Sequence, residues 1–142
     1  HKDDVAALLM IDPANPRDVD IVTQLNSSGG KAEIEAIKKN DYAMGEGKWC
    51  FLDLVWDKSP AAGFSEIGDI PVTLIAGVKV PKQPANAFES GQGRKLWGKY
   101  QSEWVKQFPK GKVILTKNSG HMVQDDEPEL VLIELIKLLD RL

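Results

Sequence analysis

Cysteine is almost missing from this chain. One cysteine, Cys50, in 142 residues excludes an intrachain disulfide and a cysteine-rich zinc site. It sits in an apolar run and reads as an inert thiol. Histidine is nearly as scarce, with His1 at the start and His121 as the one internal position. A dominant charge sign is also lacking. Lys and Arg number 18, Asp and Glu 21, and the net charge of -3 gives no basic surface for nucleic acid. No apolar stretch approaches the ~20 residues that a bilayer-spanning helix needs. Repeats and low-complexity tracts are absent too. What remains is ordinary for a globular domain, with 42% hydrophobic and 27% charged residues, long enough to bury one core.

Val5 to Ile11, VAALLMI, is a continuous apolar run of the length of a strand buried on both faces. Asp12-Pro13 ends it. Residues 14–30 are mixed and close in NSSGG, a loop or helix-terminus signal. Ala32 to Met44 has helical spacing, with Ile34 and Ile37 on one side. Lys48 to Trp56 is apolar and aromatic without a clear period, and 59–68 reads as loop. VTLIAGV, entered through Ile70-Pro71, is a second buried strand. A helix is predicted from about Arg94 to Phe108, because Trp97, Tyr100, Trp104 and Phe108 recur every three or four residues. KVILT, 112–116, is the third strand. Asp126 with Glu129 fits a capping box, and Pro128 fits a first turn, for a last helix reaching Leu142. Strands alternating with helices predict an α/β fold on a parallel sheet.

Three such strands bury little alone, and an apolar Val5–Ile11 edge invites pairing. Further strands are therefore expected from a missing half, a partner chain or a swapped dimer.

VAALLMIDPA, then a helical insert, IPVTLIAG, and KVILTKNSGHMVQDDEPELVLIELIKLL resemble, in that order, the C-terminal half of an α/β-hydrolase. The Gly-His step after a strand, followed by Glu-Pro-Glu at the mouth of the last helix, carries the likeness. It extends over residues 1–142 and is weakest across 14–68, the segment matching a cap or lid. The resemblance implies strands six, seven and eight of that fold and an esterase-like activity on an ester or acyl substrate. It makes His121 the triad base. Two departures stand out. A G-x-S-x-G nucleophile elbow is absent; Gly63-Phe64-Ser65-Glu66-Ile67 lacks the closing glycine and follows no strand. The serine is expected before His1. The loop after the second strand also lacks the family's usual aspartate.

Two acids compete for that role. Asp12, at the tip of VAALLMI, is either the acid orienting His121 or the turn residue of Asp-Pro. Glu89 is the alternative. Asp125 and Asp126 fit helix capping better than metal binding with His121. Ser119 reads as a loop hydroxyl, and Lys79 and Lys82 have no evident role. Trp49, Phe51 and Trp56 either line a pocket or pack a cap; Trp97, Tyr100 and Trp104 read as core or interface. No cofactor and no metal are implied. Two functions stay open: a hydrolase component completed by an N-terminal half or a swapped copy, or an inactive fragment or binding module that keeps the fold.

Overall fold

In a computed structural model, residues 4–45 and 68–142 are described. Trp49, Cys50, Phe51, Trp56 and the stretch 63–67 lie outside them, with the later part of the 14–68 insert.

Three parallel strands form one sheet in the order β1 (Leu8–Ile11), β2 (Pro71–Gly77), β3 (Lys110–Thr116). The fold is α/β, as the alternation predicts. β2 is buried along its whole length, as a central strand should be. β1 is shorter than Val5–Ile11, and its residues are half-buried. Pairing starts at Leu8 opposite Val72; one step back Ala7 falls opposite Pro71, which has no amide to donate, and Val5 and Ala6 precede the start of β2. β3 gains Lys110 and Gly111 for the converse reason, because they pair with Pro71 and Val72.

Side chains alternate across the sheet. Val72, Leu74 and Ala76 pack against Trp104, Val105 and Phe108, with Leu8, Met10 and Val113 beside them. This face is covered by α3 (Gly91–Val105), which Ser90 caps by accepting from the Gly93 amide at 3.0 Å. The helix starts and ends earlier than predicted. Pro109 disfavours helix just before it, so Phe108 reaches the core from a turn. Between β1 and β2, α1 (Asp18–Leu25) packs on α2 (Gly30–Gly45) and on α3. The 14–30 stretch thus holds a helix where mixed sequence gave no pattern, anchored by buried Ile21 and Val22.

The last helix departs from its predicted start. Asp126 and Glu129 form no capping box; a short α4 (Val123–Asp126) precedes α5 (Pro128–Leu139), with Glu127 at the cap position and no side-chain cap bond. Pro128 forces the residue before it out of the helical region, and Glu127 sits at φ -137°, ψ 60°. α5 lies over the opposite sheet face, on β1 and β2. Glu134 and Leu138 are its buried residues, and Glu134 bonds Lys112 at 2.5 Å and Lys137 at 2.8 Å. Leu132, Ile133, Leu135, Ile136 and Leu139 are exposed. The helix therefore faces the sheet with Glu134 and Leu138, joined by Arg141 beyond its end, and turns most of its aliphatic residues outward. Among the described residues, no helix is long and apolar enough to cross a membrane.

Candidate functional site

All three strands end at one edge of the sheet, and open α/β sheets bind ligands at their carboxyl ends. Asp12 stands there, directly after β1. Its φ of 40° is in the left-handed region, which aspartate tolerates better than most residues. Its amide still donates to Ile75 O at 2.7 Å, so the ladder persists while the chain turns.

The Asp12 side chain is 2% exposed and has a partner on each oxygen. Oδ1 accepts from the Gly77 amide at 2.9 Å and from the Trp97 indole Nε1 at 2.9 Å. Oδ2 lies 2.8 Å from His121 Nδ1. Three segments distant in sequence thus converge on the carboxylate at the end of β1: the end of β2, the first half of α3, and the loop after β3.

Gly77 is indispensable to this convergence. A Cβ built on it would lie 1.7 Å from Gly120 O, so only glycine lets the histidine loop approach the end of β2. The loop is pinned from its other side by Glu127. That carboxylate accepts from the Ser119 hydroxyl, from the Thr116 hydroxyl, and from Asn118 Nδ2 at 3.2 Å. These hydrogen bonds, Ser119's first and Thr116's next, hold Glu127 below the usual glutamate range. Ser119 is fully buried and committed to Glu127.

His121 itself is open, with its side chain 71% exposed. The hydrogen bond to Asp12 raises its pKa above the ordinary 6.5, against partial desolvation and the nearby positive charge of Arg94. A buried carboxylate at Nδ1 favours the Nδ1–H tautomer and leaves Nε2 as the basic nitrogen. No described residue hydrogen-bonds Nε2.

His121 and Asp12 border a cavity of about 830 Å³. Its apolar wall includes Val19 and Val22 of α1, Ile37 of α2, and Phe88. The helices of the 14–45 segment therefore face the histidine across the cavity. Trp97 belongs to the wall too, with Phe88 edge-on to it at 5.2 Å between centroids.

Of the two candidate acids, the structure brings Asp12 to His121. Glu89 also lines the cavity, but its Oε2 accepts from the Ala85 amide at 2.8 Å. Asp126 accepts from the Gly120 amide at 3.3 Å and so bonds the histidine loop instead of capping α5. Among the described residues, no group of three or more His, Cys, Asp or Glu is placed to hold a metal ion.

Sequence reasoning gave Trp97 to the core or an interface and did not single out Arg94 as a site residue. Both sit on the buried stripe of α3 formed by Arg94, Trp97, Gln101 and Trp104. A cation and an amide at core positions of an aromatic stripe were the available signal. No protein-family model, curated protein or solved structure matches the chain.

Proposed function

We propose that this chain supplies the base and the orienting acid of a serine hydrolase of the α/β-hydrolase type, acting on a small ester with an apolar part. His121 takes the proton from a serine hydroxyl through Nε2 and returns it to the leaving group. Asp12 holds the ring in the productive tautomer and stabilises the imidazolium formed. The observation that carries this reading is the 2.8 Å contact between His121 Nδ1 and a buried, triply bonded Asp12, at the mouth of a largely apolar cavity. Residues 14–68 then act as the lid that selects the substrate.

The serine comes from a segment outside these 142 residues. Two surfaces are suited to receive it. Among the described residues, the outer edge of β1 has no strand beside it, and most of the aliphatic side of α5, which lies over β1 and β2, is exposed. A segment adding a strand beyond β1 would cover both.

One observation favours a second reading, a non-catalytic binding module. Ser119, the serine nearest His121 in sequence, is buried and spent on Glu127, so it is no nucleophile.

Fluorophosphonate labelling separates the two. The protein, expressed with the coding sequence flanking these residues, is expected to take label on a serine. Asp12→Asn is expected to slow labelling by up to about 10⁴, as in the serine-protease precedent, while Glu89→Gln leaves it unchanged. Label that is absent, or indifferent to His121→Ala, sinks the hydrolase reading.

A further inference from the structure

Arg94 is a buried charge to which the described residues give no counter-ion. It lies in the first turns of α3, is 7% exposed, and its Nε is buried without a hydrogen-bond partner. Among the described residues it forms no ion pair. The Phe88 ring lies against it, with its centroid 5.5 Å from the guanidinium carbon. Burying the Nε–H of a guanidinium without a hydrogen bond is costly, and buried charges are ordinarily paired. The amino end of α3 adds partial positive charge on the same side, so the helix increases the demand for an anion.

The cavity that Arg94 lines is the one bordered by His121 and Asp12. The acids around it are largely engaged. Asp12 is bonded to His121, Trp97 and Gly77, Glu89 to the Ala85 amide, and Asp18 to the Asn15 amide at 3.0 Å. Their charge, with that of Asp41 on the same wall, disfavours a polyanion such as a phosphate ester. A single carboxylate on an apolar body fits better: the carboxylate on Arg94, the body against Val19, Val22 and Phe88.

The geometry points to Arg94 as an anion anchor that selects a small, apolar monocarboxylate, so that the substrate of the proposed hydrolase carries a free carboxylate besides its scissile bond. The inference rests on the hydrolase reading for what happens at His121. Binding of the carboxylate needs no turnover. Arg94 is a specificity residue here: its guanidinium fork donates to the two carboxylate oxygens side by side and fixes the remainder of the molecule relative to the histidine.

The test is equilibrium binding of phenylacetate and of its neutral analogue phenylacetamide to the protein expressed with the coding sequence flanking these residues, followed by methyl and histidine-ring NMR. Phenylacetate is expected to bind about tenfold or more tightly than phenylacetamide, the usual advantage of a charge-assisted hydrogen bond. Shifts are expected at Val19, Val22 and His121. Arg94→Gln should erase the preference, with Arg94→Lys keeping part of it. If Arg94→Gln does not fold, the comparison of the two ligands on the wild type still decides. His121→Ala should retain the preference, which separates this site from the catalytic reading: a wild-type protein that takes no label yet still prefers the carboxylate removes the hydrolase and leaves the anchor. Equal binding of the two ligands overturns the proposal. So do shifts confined to Val78 and Leu115, which line a neighbouring groove on the other flank of Arg94.

Discussion

The Trp97 indole donates to Asp12 Oδ1 at 2.9 Å, although the two residues are 85 positions apart. The aromatic stripe of α3 therefore both fills the core and holds the carboxylate that faces His121. Trp97→Phe keeps most of the ring and removes the donor. The loss is expected to be about 1–3 kcal/mol, the range for a hydrogen bond to a buried charged group plus some packing. Urea denaturation monitored by circular dichroism measures it. An unchanged midpoint would mean that the bond contributes nothing.

Gly77 sets how closely the histidine loop approaches the sheet. Gly77→Ala places a methyl where Gly120 O now stands. Overpacking of this kind costs about 1–3 kcal/mol, and backbone offers no flexible end to yield. Amide shift changes are expected to concentrate in 117–122, with the far end of β2 unaffected. A spectrum altered only at Gly77 would contradict the close approach.

The Asp12–His121 pair makes stability depend on pH. The folded pKa of His121 lies above the ordinary 6.5 because of its hydrogen bond to Asp12. Its stabilisation is therefore fully present below about pH 6.5 and is lost as pH rises through the folded value. Solvent screens the exposed ring, so the change is small. Proton NMR titration of His121 is expected to give a midpoint above 6.5 in the wild type and a lower one in Asp12→Asn. A midpoint that ignores Asp12→Asn would break the pairing.

Glu127 works in the opposite direction. Its pKa lies below the usual glutamate range, chiefly through the Ser119 and Thr116 hydroxyls. Its contribution is present above about pH 4.5 and is lost as pH falls through the folded value. Glu127→Gln should flatten acid unfolding in that window and loosen 116–120, read as faster amide exchange. Unchanged exchange would show that the loop is held by other contacts.

The outward face of α5 should tolerate polarity. Leu132 and Ile136 are 57% and 50% exposed. The double variant Leu132→Gln, Ile136→Gln is expected to stay within about 0.5 kcal/mol of the wild type per substitution. It should reduce self-association in sedimentation velocity. Strong destabilisation would place this face in the folded core.

The strands were legible because their apolar runs matched strand length, and the parallel order followed from alternation. β1 lost Val5 to Ala7 because strand ends depend on where the neighbour begins, which one run does not encode. α1 was missed because Ile21, Val22 and Leu25 make only two turns of pattern between loop-like flanks. α5 was read as a helix from the signals at its start. That Glu134 faces the sheet was hidden, since it depends on Thr73 and Lys112 making that sheet face partly polar.

At the site, the sequence put His121 after the third strand and left Asp12 and Glu89 in competition. Only the fold separates them, because register carries Asp12 to the edge beside the histidine loop while Glu89 turns back to Ala85. Trp97 and Arg94 share a stripe dominated by aromatics, and pattern alone gives such positions to the core. Their polar atoms acquire partners, or conspicuously lack them, only in three dimensions.

The central claim is that Asp12 fixes His121 with its proton on Nδ1 and leaves Nε2 basic. Long-range ¹⁵N–¹H correlation of the His121 ring, recorded above its pKa, tests this directly. The account predicts a protonated, pyrrole-like Nδ1 and a pyridine-like Nε2, with the preference lost in Asp12→Asn. A dominant Nε2–H tautomer in the wild type would contradict it.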